Sequence, residues 1–386
     1  MSVWNDLVGQ RRAVAVLQEA AQNAADGRGV GHAWLFTGPP GSGRSNAATA
    51  FAAALQCERG GCGECHACHT VLVGSHADVQ VVRTAKLSIG IAEARDLVRK
   101  AALAPNGRRW QIIVVEDADR LTEGACNALL KAIEEPTDRT VWMLCAPTVE
   151  DVLTTIRSRC RLVTLTTPAT PDVAAFLERT LGVPEALALH AARASQGHIG
   201  RARALATDED TRTRRREVVG LPAALVSLGA AMRAATGLAE RAKAEAEALT
   251  SALDAREKAD LDAAYGVVER GRRPREYAPA LAEMDKAQKT RAKRRVLDVV
   301  DRGLMDLASV YRDAITVGLG SPQELVNEEI RGEVEELARH STPEVDLRRI
   351  DAIFTAREQL MEFHVPVALA LESMMVALLV SEEVRP

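Results

Sequence analysis

The chain has 386 residues, with 49 Lys and Arg against 53 Asp and Glu, a formal net charge of −4, 47% hydrophobic residues and only 3% aromatics. That balance gives no global basic field to announce a nucleic-acid partner, and no uninterrupted apolar run reaches the roughly 18 residues of a membrane span. It suits helices and buried parallel strands better than an antiparallel sandwich, and the length calls for two or three domains. The N-terminal MSVWNDLVGQRR carries charge too early for a secretory h-region, so a cytoplasmic protein is expected. In that reducing compartment the seven cysteines point to metal or free thiols rather than disulfides.

In chain order, Val8 to Ala25 has the spacing of an amphipathic helix, and AWLFTG (33–38) is a short apolar run ending in glycine. QIIVV (111–115) and VWMLCA (141–146) are two more such runs. Between the runs lie the helical stretches IAEARDLVRKAAL (91–103) and TEGACNALLKAIEE (122–135), the second stopped by Pro136. This alternation predicts an α/β domain with a parallel sheet over residues 1–165. After the turn-rich TTPATPD (166–172) no further strand is expected, and residues 166–207 read as a small helical domain. Residues 208–386 read as a more charged all-helical one. Within it, Thr236 to Ala264 has few large apolar residues beyond Leu238, Leu249, Leu253 and Leu261, and is expected to be a largely exposed helix or helical hairpin rather than core. Residues 363–380 are apolar enough for a packed helix.

GPPGSGRS (38–45) follows the first apolar run and precedes the helical NAATAFAAAL, the context of a phosphate-binding loop. Gly38, Gly41 and Gly43 let the backbone turn inward around an anion, the helix N-terminus adds positive potential, and Ser45 stands where a hydroxyl would ligate Mg²⁺. Arg44 replaces the expected lysine. A planar guanidinium is bulkier than an ammonium and favours bidentate contacts. Arg44 therefore either pairs with a phosphate in an altered nucleotide site or is a solvated arginine on an empty loop. IIVVEDAD (112–119) is the natural second half of such a site, with Glu116 and Asp117 at the metal-binding and water-activating positions in swapped order. Each carboxylate is displaced by a methylene, enough to damage a positioned reaction. The alternative is that both acids simply cap the strand and the following helix.

Cys57, Cys62, Cys65 and Cys68 form C-x₄-C-x₂-C-x₂-C in ALQCERGGCGECHACHT, with Gly60, Gly61 and Gly63 supplying tight turns. Four thiolates at this spacing can close a tetrahedral structural Zn²⁺ site. His66 and His69 are rival ligands, and an iron–sulfur cluster or an uncommitted run of thiols are the remaining readings. Cys126, Cys145 and Cys160 sit among apolar neighbours and read as buried small residues. From Gly271 to Arg295 nine Lys or Arg accompany three acids, and RTRRRE (212–217) is a second basic excess. Phosphate contacts need such charge, but without interleaved aromatics a solvated helix face is the expectation.

VGQ (8–10) in the opening helix, GPPGSGRS, the cysteine cluster directly after the loop helix, VVEDADRLTEGACNALLKAIEEP (114–136) and TIRSRC (155–160) together resemble the bacterial DNA polymerase III clamp loader subunits over most of residues 1–165. Within that family the altered loop and acid pair are more similar to the non-hydrolysing delta prime class than to the ATP-hydrolysing gamma/tau class. The resemblance implies an AAA+ fold: an ATPase-like domain (1–165), a helical lid (166–207) and a helical collar (208–386) through which five subunits assemble. It implies a stator role in loading a sliding clamp onto primed DNA, with gamma/tau and delta subunits, the clamp and DNA as partners, and no membrane. It further implies four-cysteine ligation of Zn²⁺, ATP or ADP with Mg²⁺ at most held without hydrolysis, and Arg159, beside Ser158, as an arginine finger for a neighbour's ATP. On the alternative reading, TIRSRCRLV is a helix end followed by a strand, with Arg157, Arg159 and Arg161 solvated. The residue that senses a γ-phosphate falls on Ala146, with Thr148 two positions late. The lid arginine falls on Gly200, with Arg201 and Arg203 as neighbours. A weakly active gamma/tau-like motor and an ATP-holding regulator are the rival functions.

Overall fold

The computed structural model describes residues 2–84, 88–107, 109–267 and 274–380, in two compact units, Met1–Thr207 and Asp208–Pro386. The first unit begins with helix α1 (Arg11–Ala25), strand β1 (Ala33–Thr37), α2 (Arg44–Gln56), α3 (His66–Leu72), β2 (Val79–Val82), α4 (Ile91–Ala101) and β3 (Gln111–Val115). It continues with α5 (Glu123–Glu134), β4 (Thr140–Ala146), α6 (Thr154–Arg157) and β5 (Arg161–Thr164), and ends in α7 (Thr170–Leu181), α8 (Glu185–Ser195) and α9 (Ile199–Thr207). The five strands form a parallel sheet in the order β2-β3-β4-β1-β5. This is the expected α/β class.

Side chains of alternate parity along each strand serve opposite faces of the sheet. On one face Trp34, Phe36, Ile112, Val114, Val141 and Met143 pack with Phe51 and Leu55 of α2 and Leu17 of α1. On the other, Leu35, Ile113, Val115, Trp142 and Leu144 pack with Leu97 of α4 and Leu129 and Ile133 of α5. Because helices cover both faces, β1, β3 and β4 are buried at every position, which is why they read as continuous apolar runs. Each large side chain so buried contributes about 1.5–3 kcal/mol. The edge strand β5 buries Val163 alone of its residues, and neither it nor the four-residue β2 stands out as an apolar run.

Two boundaries shift from the expectation. The opening helix starts at Arg11, not Val8, because Gly9 takes φ +71° and a side chain there would press on Pro168. VGQ therefore lies before the helix. The linker after β5 is shorter, since α7 already begins at Thr170.

Among its described residues the second unit has helices and no strand: α10 (Glu209–Val219), α11 (Leu221–Ala224), α12 (Leu228–Ala264), α13 (Tyr277–Gly318), α14 (Arg331–His340), α15 (Pro343–Met361) and α16 (Val367–Val380). Its core joins Leu304 and Leu307 of α13, Ile353 and Leu360 of α15, and Leu371 and Met375 of α16. The region expected to be exposed is part core. Leu238, Ala242, Ala246 and Thr250 of α12 are buried, because alanines let α12 lie close against its neighbours. Beyond Thr250 no described side chain of α12 is buried. There polar contacts replace core: Arg291 donates to Glu257 at 2.8 Å and to Asp254, and Tyr277 donates to Asp262 at 2.6 Å.

Of the two basic segments, residues 271–273 lie outside the described residues, and Lys286, Lys289 and Lys293 are exposed as expected. RTRRRE is not a solvated face. Arg215 is 5% exposed, ion-paired to Asp306 at 3.3 Å and to Glu329, and Arg214 pairs with Glu245 at 3.2 Å. No described helix is long and apolar enough to cross a membrane.

Candidate functional site

The loop joining β1 to α2 keeps the backbone of a phosphate cradle. Gly38, Gly41 and Gly43 take φ of +151°, +82° and +93°, a region that L side chains rarely enter. Space forbids side chains as well: a Cβ on Gly38 would lie 2.6 Å from the Leu165 carbonyl oxygen, and one on Gly41 would lie 2.2 Å from Cγ of His198. Gly43 is the N-cap of α2, so the free N–H groups of that helix open where the loop ends. Ser45, in its first turn, is half-buried.

Two residues outside the quoted motif fix the loop. Gln10 is 4% exposed. Its Nε2 donates to the carbonyls of Thr166 at 2.7 Å and Ser42 at 3.4 Å, while its Oε1 accepts from the Thr166 N–H at 3.1 Å. One side chain thus ties the segment before α1, the loop and the exit of β5 together. His198, at the turn into α9, rests its ring on Gly41, and the neighbouring Ile199 N–H donates to the Gly41 carbonyl at 3.3 Å. Gln10 was visible only as part of VGQ; nothing in the local sequence marks His198.

Arg44 does not project into solvent. It is half-buried, and its guanidinium donates to the Gly38 carbonyl. Burial lowers its pKa from the ordinary arginine value, while the charges of Asp119, Asp117 and Asp151 act to hold it up. The guanidinium therefore stands in the field of Asp117 and Asp119, which follow β3, and of Asp151, which follows β4; of these the sequence singles out Asp117 alone. Glu116 accepts from Arg83 at 2.8 Å. Burial nevertheless pushes its carboxyl above the usual range, with Arg83 opposing. Its Oε1 has no partner among the described residues, and neither has the buried Ser42 hydroxyl. Asp117 lies 3.9 Å from Arg120.

The remaining positions are committed elsewhere. Ala146 is buried at the end of β4. The Thr148 hydroxyl and N–H both donate to Asp151, at 2.9 and 2.8 Å, closing a turn. Gly200 carries no side chain to reach the loop, and the Arg203 guanidinium lies over the Phe176 ring, 4.9 Å from its centroid.

Arg159 follows α6, with Ser158 as that helix's C-cap. Its guanidinium donates to the Thr155 carbonyl at 2.6 Å and the Ser158 hydroxyl at 3.1 Å and pairs with Glu134 of α5. None of these partners belongs to the loop. Arg159 is therefore not simply solvated, and Arg161 is not either, since it lies 4.9 Å over the Trp34 ring.

The four cysteines converge. The Sγ atoms of Cys57, Cys62, Cys65 and Cys68 all lie within 4.8 Å of one another, with Cys57 to Cys62 and Cys57 to Cys65 both at 3.6 Å. Zn–S bonds of about 2.3 Å in a tetrahedron require sulfurs about 3.8 Å apart, so the set fits one such ion. Backbone N–H groups of Arg59, Cys62 and Cys68 point at the sulfurs of Cys57 and Cys65 at 3.3–3.5 Å. Backbone donation from Glu64 foremost brings Cys62 down to about 6. His66 and His69 are exposed on α3 and lie outside the group. The N-terminal segment holds this knob in place: the Val3 N–H and the Trp4 Nε1 donate to the Gly61 and Gly60 carbonyls at 3.0 and 3.3 Å. Cys126 and Cys145 are buried as expected, while Cys160 is half-buried and pushed up to about 12 by burial.

Comparison with known proteins places these features. Residues 9–169 match the family model described as DNA polymerase III, delta subunit. The tau subunit of Bacillus subtilis DNA polymerase III is 35% identical over 162 residues, 41% of this chain and 28% of that protein. The delta prime subunit of Pseudomonas aeruginosa is 36% identical over 150 residues, 37% of this chain and 46% of that protein. The delta prime subunit of Escherichia coli K12 is 33% identical over 185 residues, 46% of this chain and 55% of that protein. The matched segments thus span between about a quarter and about half of these relatives' lengths. Among solved structures, a DNA polymerase III gamma subunit-related protein from Thermotoga maritima aligns with TM-score 0.41 and 15% identity, covering 96% of this chain and 99% of that one, a loose likeness. Over residues 9–169, then, this chain is similar to the delta, delta prime and tau subunits of DNA polymerase III.

Proposed function

We propose that this chain is a delta prime type stator of a DNA polymerase III clamp loader: it does not hydrolyse ATP but helps load a sliding clamp onto primed DNA, with gamma/tau and delta subunits as neighbours. The observation that carries this reading is Arg44 turned back onto the Gly38 carbonyl within the field of Asp117, Asp119 and Asp151. Hydrolysis needs a metal between those acids and the phosphates, and here a fixed guanidinium charge competes for them. Ala146 and Gly200 supply no polar group where a hydrolysing site needs one. On this reading residues 166–207 are the lid, 208–386 the collar, and Cys57, Cys62, Cys65 and Cys68 hold a structural Zn²⁺. Arg159, steadied by Ser158, is the finger offered to the ATP of the next subunit.

Reconstitution with the partner subunits tests the proposal. The isolated chain is expected to show no ATPase activity, and Arg159→Ala is expected to leave it folded while lowering DNA-stimulated hydrolysis by the assembly. ATPase activity of the isolated chain that Asp117→Asn abolishes would overturn the stator reading in favour of a motor. The retained glycine conformations and the unpartnered Ser42 hydroxyl favour a second reading of the loop, a nucleotide held without turnover. A rise in melting temperature with added ADP supports it, and no shift at millimolar ADP rejects it.

A further inference from the structure

The phosphate loop and the four cysteines lie at opposite ends of one helix. Gly43 is the N-cap of α2 and Cys57 its C-cap, with 13 residues between them, a separation of about 20 Å. A second connection joins the same two places along the segment before α1. At the cysteine end, the Ser2 hydroxyl and the Val3 N–H donate to the Gly61 carbonyl at 3.1 and 3.0 Å, and the Trp4 indole N–H donates to the Gly60 carbonyl at 3.3 Å. The approach is close enough that a Cβ on Gly61 would lie 2.7 Å from Cγ2 of Val3. At the loop end, the Gln10 side chain holds Ser42 and Thr166. Hydrogen-bonded turns fill the interval: a short 3-10 helix over Val3–Asp6, then the Leu7 N–H on the Trp4 carbonyl at 3.2 Å and the Gln10 N–H on the Leu7 carbonyl at 3.4 Å. Val3, Trp4, Leu7 and Val8 are all buried. A segment bonded and packed in this way shifts as a unit.

We propose that the four-cysteine centre is a metal-dependent clasp on this segment, through which zinc occupancy sets how firmly Gln10 holds the phosphate loop. Gly60 and Gly61, whose carbonyls receive the segment, lie between Cys57 and Cys62 and take φ of +65° and +96°. Glycines have wide conformational freedom, and drawing the two flanking sulfurs to one ion tethers the turn between them. Without the ion the sulfurs have no common partner, the carbonyls of the turn lose their placement, and the segment loses its anchor. Gln10 then holds the loop by its own contacts alone. The inference rests on the reading that the cysteines hold Zn²⁺, and not on the stator role.

The test is amide hydrogen exchange of the full chain, read by NMR at two reporters, with zinc content measured alongside. The Val3 N–H reports the clasp, and the Thr166 N–H, which donates to Gln10 Oε1 at 3.1 Å, reports the loop. Chelation of zinc is expected to speed exchange at both, by roughly three- to tenfold at Thr166, the factor one hydrogen bond is worth. The increase should be insensitive to low urea, as a local opening that exposes little surface is. The double substitution Val3→Pro with Trp4→Phe removes the backbone and indole donors and leaves every cysteine in place. It should retain about one zinc and speed Thr166 exchange as chelation does. In Gln10→Ala, chelation should leave Thr166 exchange unchanged. An increase that grows with urea as global unfolding does overturns the proposal, and so does a further rise on chelation in Gln10→Ala. Parent-like Thr166 exchange in the double variant overturns it too, and would assign any coupling to α2. A parent chain that binds no zinc overturns the zinc reading and the clasp together, whereas bound zinc with an unresponsive Thr166 overturns the clasp alone.

Discussion

Gln10→Ala is the most direct probe of how the loop is held. The substitution removes three hydrogen bonds, at 2.7, 3.1 and 3.4 Å, that join the segment before α1 to Thr166 and Ser42. At roughly 0.5–1.5 kcal/mol each, and with the longest contributing least, the loss comes to about 2 kcal/mol. In a unit of about 200 residues each kcal/mol lowers Tm by about 2–4 °C, so a fall of about 4–8 °C is expected. All four tryptophans, Trp4, Trp34, Trp110 and Trp142, lie in the first unit, and tryptophan fluorescence reads that unit without interference from the second. Gln10→Glu sharpens the test. A carboxylate can still accept from the Thr166 N–H but sets a charge against the Thr166 and Ser42 carbonyl oxygens, so at neutral pH it should destabilise more than alanine. Acidification should recover part of the loss, since a protonated carboxyl can donate again. A Gln10→Ala transition within 1 °C of the parent, roughly a quarter or less of the expected shift, refutes the assigned role, as does a glutamate variant as stable as the parent at neutral pH.

Further outcomes follow from the same geometry. Gly41→Ala forces a Cβ to within 2.2 Å of the His198 ring at φ +82°; it should cost about 2–4 kcal/mol, and pairing it with His198→Ala should recover the steric share, both read by tryptophan fluorescence. Cys68→Ser should reduce bound zinc from about one equivalent to well below half by metal analysis and lower the melting point of the first unit, whereas His66→Ala and His69→Ala should leave zinc content unchanged. For Glu116, burial raises the folded-state pKa, so the folded chain holds that proton more tightly than the unfolded one. Its stability cost therefore appears as pH climbs past the ordinary carboxylate value and is complete above the raised one. Glu116→Gln should accordingly stabilise the first unit at neutral pH, with the gain vanishing in acid, as measured by denaturant melts across that range.

What the sequence made legible follows physical lines. Strands β1, β3 and β4 showed because helices cover both their faces, whereas RLVT of β5 hides behind exposed Arg161, Leu162 and Thr164. The cysteine spacing announced a metal site, but its ligands could be separated from His66 and His69 only by the turn at Cys65, which caps α3 and leaves both imidazoles exposed. Core alanines misled in the opposite sense: Ala242 and Ala246 look too small for core positions, yet they are buried because they let helices approach closely. The direction of Arg44 was not legible at all. It depends on a carbonyl six residues back and on the distant acids Asp117, Asp119 and Asp151, which do not act on it until the sheet has formed.

The two arginines of the proposed site are also held at different depths, and that difference matters to what each can do. Arg44 is half-buried against the backbone of its own loop; moving it strips the Gly38 carbonyl of its donor and the nearby acids of their counter-charge. Arg159 and Glu134 are 37% and 40% exposed in their side chains, and an ion pair so open to water is worth only about 0–1 kcal/mol. An incoming phosphate from a neighbouring subunit offers a guanidinium more charge than one carboxylate does, so Arg159 can change partners at little cost. On the proposed reading Glu134 would act as a holster, orienting Arg159 without holding it firmly enough to oppose its transfer. A chain that fixes the arginine in its own loop and leaves the one on its other motif free to transfer is suited to serving a neighbour's site rather than its own.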